Sequence, residues 1–323
     1  MTWLRARQLG WGVAIAVLLL LPWLLSQLQV YIITEVLIYA LFAVGFNLMF
    51  GYAGLLPFGI AALFGVGAYG TALVINHFPG VPLLLVLLSA SLSGFLAAVI
   101  IGFFCVRLSG AYFALTTLAF QMFLFAVALK WRSLTRGDDG MSVIRPEFYL
   151  PAFGTISLRG TYSVYYFTLI IVTLAILACY LFLKTPLGNS VMCVRENETR
   201  ASFLGYNIFL IKLTAFSASG LLVGLAGGLF VLFQEFVATT CLDMNMGLIP
   251  VLMTIIGGSG NFFGPILGAA FYVMFQDWIS SITYYWMFIM GGVFILTVLY
   301  LQGGLISLFS LEKLRHLRHR GNR

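Results

Sequence analysis

"GYAGLLPFGIAALFGVGAYG", residues 51–70, places glycine at 51, 54, 59, 65, 67 and 70 and proline at 57. Every other residue in the run is apolar or aromatic. Glycine and proline at this density interrupt a helix, yet nothing in the stretch is polar enough for a water-facing loop. Irregular backbone without polar side chains is tolerated inside a membrane protein, where neighbouring helices or cavity water satisfy the freed carbonyls. Two readings fit the run: a broken helix, or a helix whose glycines let neighbours approach closely. Both require a membrane protein around it.

The flanking sequence has that character. The chain has 323 residues, 62% hydrophobic and 8% charged, with a mean hydropathy of +1.05; a soluble domain carries roughly 25% charged residues. Its apolar runs approach the roughly 20 residues a helix needs to cross a ~30 Å hydrocarbon core, whereas barrel strands alternate over about ten. Ten spans are expected, near 11–28, 31–50, 55–76, 82–105, 111–129, 163–183, 213–233, 246–257, 263–282 and 285–303. The fold class is an all-α, polytopic helical membrane protein. The run at 246–257 is short, and it and the 51–70 stretch can either span or re-enter.

The expected organisation is a cytoplasmic segment 1–10, one transmembrane domain over 11–303 and a basic cytoplasmic tail over 304–323. The first apolar run follows Arg5 and Arg7 as a signal peptide would, but lacks a small-x-small cleavage site and is kept as a span. With the amino terminus inside, twelve Lys and Arg fall on the cytoplasmic side, against Lys130, Arg132, Arg136, Arg145 and Arg159 outside. That bias places both termini in the cytoplasm. It also accounts for the net charge of +7, so no nucleic-acid partner is implied.

A second interruption, "IIGGSGNFFGPILGAAF" at 255–271, carries Gly257, Gly258 and Gly260 and restarts after Pro265. Paired interruptions in the two halves of a chain suggest discontinuous helices facing a shared pathway. Asn47, Gly51, Gly54, Pro57, Gly59, Gln121, Gly257, Gly258, Gly260 and Pro265 are the candidates for that pathway. Asn47, Gln121 and Gln276 equally suit hydrogen bonding between helices.

Several chemistries lack their residues. Glu35 and Asp277 sit near outer span ends and Arg107 at an inner end, so no ionisable residue sits mid-span for a proton relay. No Gly-Lys pair occurs, which removes a phosphate-cradling P-loop. His77, His316 and His319 form no metal pattern, so neither a metal nor a cofactor is expected and no catalytic constellation is present. Cys105, Cys179, Cys193 and Cys241 form no CxxC pair and read as small apolar fillers.

Two polar segments remain. The outer loop 130–162 carries Arg136, Asp138 and Asp139, which suit either rim contacts with a docking protein or simple solvation. The loop 184–212, "KTPLGNSVMCVRENETRASFLGYNIFLIK", can form one amphipathic helix over 190–203. Val191, Val194, Ala201 and Leu204 share its apolar face, and Gly205 ends it. Such a helix fits a groove in a soluble partner, or is a solvated connection.

"GYAGLLPFGIAALFGVGAYGTAL" at 51–73, "TRGDDGM" at 135–141, "RENETRASFLGYN" at 195–207 and "GGSGNFFGPILGA" at 257–269 together resemble the permease subunits of ABC importers for branched-chain amino acids, in particular the LivM type, over roughly residues 30–300. The resemblance implies that 195–207 is the coupling helix receiving motion from an ATP-hydrolysing subunit, through Arg195, Glu196, Asn197, Glu198, Ala201, Leu204 and Gly205. It further implies two ABC ATPase subunits, a second LivH-type permease and a periplasmic substrate-binding protein as partners, besides membrane lipid. The cargo would be leucine, isoleucine, valine or a related small amino acid; urea and short amides are the alternative, and an ion-coupled carrier is the more distant one. The chain departs from the family pattern at Pro57–Ile60 and at Arg200, Ser202 and Phe203.

Overall fold

A computed structural model describes residues 19–23, 25–78, 80–146, 148–150, 154–156, 160–300 and 303–309. The expected segment 1–10, residues 11–18 of the first span and the tail beyond 309 lie outside those residues.

The first long helix, α1 (Gln27–Asn47), starts at a capping box: the Ser26 hydroxyl accepts from the Gln29 amide while the Gln29 side chain accepts from the Ser26 amide. That cap sets the boundary between the first two apolar runs. From Leu37 to Asn47 every residue of α1 is buried, so the helix runs through the centre of the bundle. A π-helical turn, Leu48–Tyr52, extends it. There follow α2 (Ala61–His77), α3 (Leu83–Cys105), α4 (Gly110–Lys130), α5 (Thr161–Lys184), two short helices α6 (Pro186–Glu196) and α7 (Glu198–Phe203), and then α8 (Ile208–Gln234), α9 (Met244–Gly257), α10 (Gly264–Ser280) and α11 (Trp286–Tyr300).

Among the described residues five helical stretches are long and apolar enough to cross a membrane: Gln27–Tyr52, α3, α4, α5 and α8. On α3, Leu84, Leu88, Leu92, Leu96 and Ile100 form an exposed stripe at four-residue spacing, the signature of a helix facing lipid rather than water. Its opposite face packs on α8 through glycine. A methyl group on Gly94 would sit 2.4 Å from the Gly220 carbonyl oxygen, and one on Gly67 of α2 would sit 2.3 Å from the Gly224 carbonyl oxygen. Glycine at these crossings lets three backbones meet where apolar burial alone gives no drive for helices to associate. The protein is a polytopic helical membrane protein.

At one end of the bundle lie α6 and α7; at the other lies the segment between α4 and α5. That segment is more structured than a polar loop. It contains a helical turn at Arg132–Thr135, a hairpin of β2 (Phe148–Leu150) with β3 (Gly154–Ile156), and the strand β1 (Met141–Ser142), which pairs antiparallel with β4 (Phe236–Val237) just after α8. Arg145 donates to the Leu232 and Phe233 carbonyls and pairs with Glu235 at 3.1 Å, so a cation closes the carboxyl end of α8.

Candidate functional site

The interruption after α1 is real and local. Ala53 N donates to the Leu48 carbonyl across five residues, Leu55 N reaches back to Met49, and residues 53–57 have no regular structure before α2 begins at Ala61. Pro57 is buried in this stretch. Gly59 is pressed on the backbone of α4: a methyl there would sit 1.8 Å from the Thr117 carbonyl oxygen, and the Gly59 amide donates to the Thr117 hydroxyl.

One helical turn along α4, Gln121 is fully buried and donates to the Leu242 and Asp243 carbonyls at 3.2 and 2.9 Å, holding the entry to α9. Thr117 and Gln121 thus grip one element each from the two halves of the chain. α9, with Pro250 inside it, is 14 residues long. At a rise of about 1.5 Å per residue it covers about 21 Å, short of the hydrocarbon thickness.

The interruption after α9 folds back on the first. Gly258 has φ +107°, a conformation that favours glycine, and its neighbour Gly257 lies against the Gly264 backbone. Gly260 has open space beside it, and Pro265 sits in the first turn of α10, where its missing amide costs no hydrogen bond. The two breaks touch. The Asn47 side-chain amide donates to the Asn261 carbonyl at 3.4 Å, and the Ser259 carbonyl oxygen lies 2.5 Å from where a Gly51 methyl would sit. Asn47 is 1% exposed, and its Oδ1 has no hydrogen-bond partner among the described residues.

The segment between α5 and α8 differs from the expected single helix over 190–203. Asn197 breaks it: its backbone is extended, and its side chain accepts from the Arg200 amide to start α7 anew. Thr185 caps α6 in the same way, with Pro186 in the first turn. The break reorients the faces. Val191, Val194 and Ala201 are buried as their spacing implies, but Leu204 is 77% exposed beside Phe203 at 85%. Gly205, at φ +84°, turns the chain after α7, as expected.

The residues placed together in this segment separate into two groups. Arg195, itself exposed, reaches back to the bundle: its guanidinium donates to the Gly51 carbonyl, and its Cγ lies 2.9 Å from where a Gly54 methyl would be, against a backbone at φ +72°. Glu198 pairs with Lys212 at 2.7 Å, the lysine being almost fully buried. Glu196, Asn197, Leu204 and Gly205 face outward with Thr199, Arg200 and Phe203. Phe203 is the residue that sequence reasoning passed over; a large aromatic beside Leu204 at a helix end was the available signal. Cys193 is likewise exposed and is not a core filler.

At the opposite end, Arg136 is exposed in a left-handed conformation at φ 59°. Asp138 accepts from the Thr239 hydroxyl at 3.3 Å, and Asp139 is exposed beside it.

Known proteins share this chain's sequence across these elements. The family described as "Branched-chain amino acid transport system / permease component" matches residues 28–298. The high-affinity branched-chain amino acid transport system permease protein LivM of Escherichia coli is 30% identical over 306 residues, covering 89% of this chain and 72% of its own length. The probable branched-chain amino acid transport permease protein LivM of Methanocaldococcus jannaschii is 25% identical over 274 residues, covering 73% and 77%. The autoinducer 2 import system permease protein LsrC of Salmonella typhi is 30% identical over 174 residues, about half of each chain. No solved structure matches. With the family description spanning both interruptions and the segment between α5 and α8, the chain belongs to the branched-chain amino acid transport system permease components.

Proposed function

We propose that the chain is the membrane-spanning permease subunit of an ATP-driven importer, which moves branched-chain or related small amino acids inward by alternating access. The observation that supports this best is the shape of α6 and α7. A polar segment hangs from the bundle with Phe203 and Leu204 exposed at its tip and Glu196, Thr199 and Arg200 around them. An apolar knob with a charged rim is the anatomy of a protein–protein contact. It serves as the coupling element: closure of two ATPase subunits draws it sideways, and the two interruptions follow.

In this reading the α6–α7 end is cytoplasmic, the membrane is the bacterial inner membrane, and the termini lie inside. The chain breaks no bond; ATP is hydrolysed on separate subunits. A related LivH-type permease shares the pathway, and a periplasmic binding protein docks on the opposite end, where Arg136, Asp138 and Asp139 steer its approach.

The test is reconstitution. The chain is co-expressed with its neighbouring permease and ATPase subunits, purified, and placed in vesicles with the binding protein and labelled leucine. ATP-dependent uptake with the ATPase co-purifying is the expected result. Uptake driven by a sodium or proton gradient without any ATPase would replace the proposal with an ion-coupled carrier.

A further inference from the structure

We infer that Arg195 and Asn47 form a mechanical link carrying displacement of the α6–α7 segment into both helix interruptions at once. The inference rests on the proposed coupling role of that segment and adds the path by which its motion reaches the gate.

The path is continuous. Arg195 leaves the end of α6 and donates to the Gly51 carbonyl, in the π-helical turn that ends α1. The carboxyl end of a helix leaves carbonyls without intrahelical donors and carries partial negative charge, so a guanidinium there is held by geometry and by charge. Its aliphatic part lies over Gly54, the next residue with a left-handed backbone, so a side chain at 54 would displace it.

One helical turn before Gly51, Asn47 donates to Asn261 in the second interruption. Its Oδ1 sits where a Gly51 methyl would lie, and Ser259 closes on the same point from the other side. Gly51 is therefore gripped by the segment below, by α1 and by the second break. A second tether acts in parallel: Glu198 pairs with Lys212 on α8, and Ser219 of α8 donates to the Gly45 carbonyl of α1 at 2.7 Å.

Among the described residues Asn47 Oδ1 has no donor, so it is an acceptor that a joint can satisfy on moving. A buried acceptor without a donor is destabilising, and a joint recovers that loss when its other position supplies one. When Gly51 is drawn away by Arg195, the space beside Oδ1 opens and the acceptor can take a donor from the second interruption.

The experiment measures ATP hydrolysed per leucine imported by the complete complex in vesicles, for Arg195→Gln, Arg195→Lys, Asn47→Leu and the Arg195→Gln/Asn47→Leu double variant. A structural cap would lower assembly or thermal stability without altering this ratio. The link requires the ratio to rise about tenfold in Arg195→Gln, the equivalent of one charge-assisted hydrogen bond, with a smaller rise in Arg195→Lys. Asn47→Leu should give a similar rise, and the double variant no more than the larger single, because both residues lie on one path. An unchanged ratio in either single variant, or multiplied effects in the double, overturns the link while leaving ATP-driven transport standing. Wild-type complex that imports leucine without ATP hydrolysis overturns the transport proposal and the link with it. Should Arg195→Gln fail to assemble, Arg195→Lys and Asn47→Leu decide the matter by the same ratio.

Discussion

Lys212 and Glu198 lie 2.7 Å apart, and they differ in exposure: the lysine side chain is 5% exposed and the glutamate 50%. The pair joins the first turn and a half of α8 to the amino terminus of α7, where a carboxylate is favoured by the helix dipole.

Because only one partner is buried, the two single substitutions have unequal costs. Glu198→Ala leaves an ammonium group inside the protein without its counter-charge, whereas Lys212→Met leaves a carboxylate that water can solvate. We expect Glu198→Ala to destabilise by on the order of 2–4 kcal/mol and Lys212→Met by markedly less. Thermal unfolding of the two variants in detergent checks the order, and equal losses would refute it.

The glycines of the interruptions are not equivalent. A methyl on Gly59 would sit 1.8 Å from a backbone oxygen of α4, which cannot swing away, while Gly260 has nothing within 4 Å. Gly59→Ala is expected to cost about 1–3 kcal/mol or more and Gly260→Ala to lie within about 0.5 kcal/mol of wild type. Paired melting curves measure both.

Phe203 and Leu204 touch little of their own chain. Replacing both with alanine should leave the melting temperature of the isolated permease unchanged, while ATPase association weakens by about 2 kcal/mol, roughly thirtyfold, as for other apolar hot spots. Association is read by co-purification against a titrated ATPase. Weakened binding accompanied by a matching loss of stability would instead make the pair part of the fold.

Cys193 is exposed on α6, whereas Cys105, Cys179 and Cys241 are buried. Burial also pushes the Cys241 thiol up to about 11, against a smaller lowering by its backbone hydrogen bond to Ala238. The thiolate is the reactive form, so this shift slows modification of Cys241 at neutral pH even where reagent can reach it. A maleimide at neutral pH should modify Cys193 and spare these three, and bound ATPase should slow the reaction. Mass spectrometry of the labelled chain counts the adducts, and labelling of Cys241 at neutral pH would contradict the burial argument.

Much of this protein was legible without coordinates. Apolar runs of span length, the paired glycine-rich stretches and the polar segment between α5 and α8 each depend on residues close in sequence. Hydrocarbon leaves a backbone few options, so local composition suffices to choose a helix. Arg195 and Gly51 stand 144 positions apart and Asn47 and Asn261 stand 214 apart. Periodicity along one helix says which face a residue occupies, not which carbonyl of a distant element will meet it.

The sequence alone therefore determined the class, the approximate spans and the two glycine-rich stretches where helices could break, because those follow from the solvation of nearby groups. Only the tertiary structure decided that the two breaks close on each other, that Asn197 divides the segment between α5 and α8, and that Arg195 reaches back to Gly51 while Phe203 makes no such return. Those outcomes depend on close packing between elements far apart in the chain, where a few tenths of an ångström at a glycine determine which groups can meet.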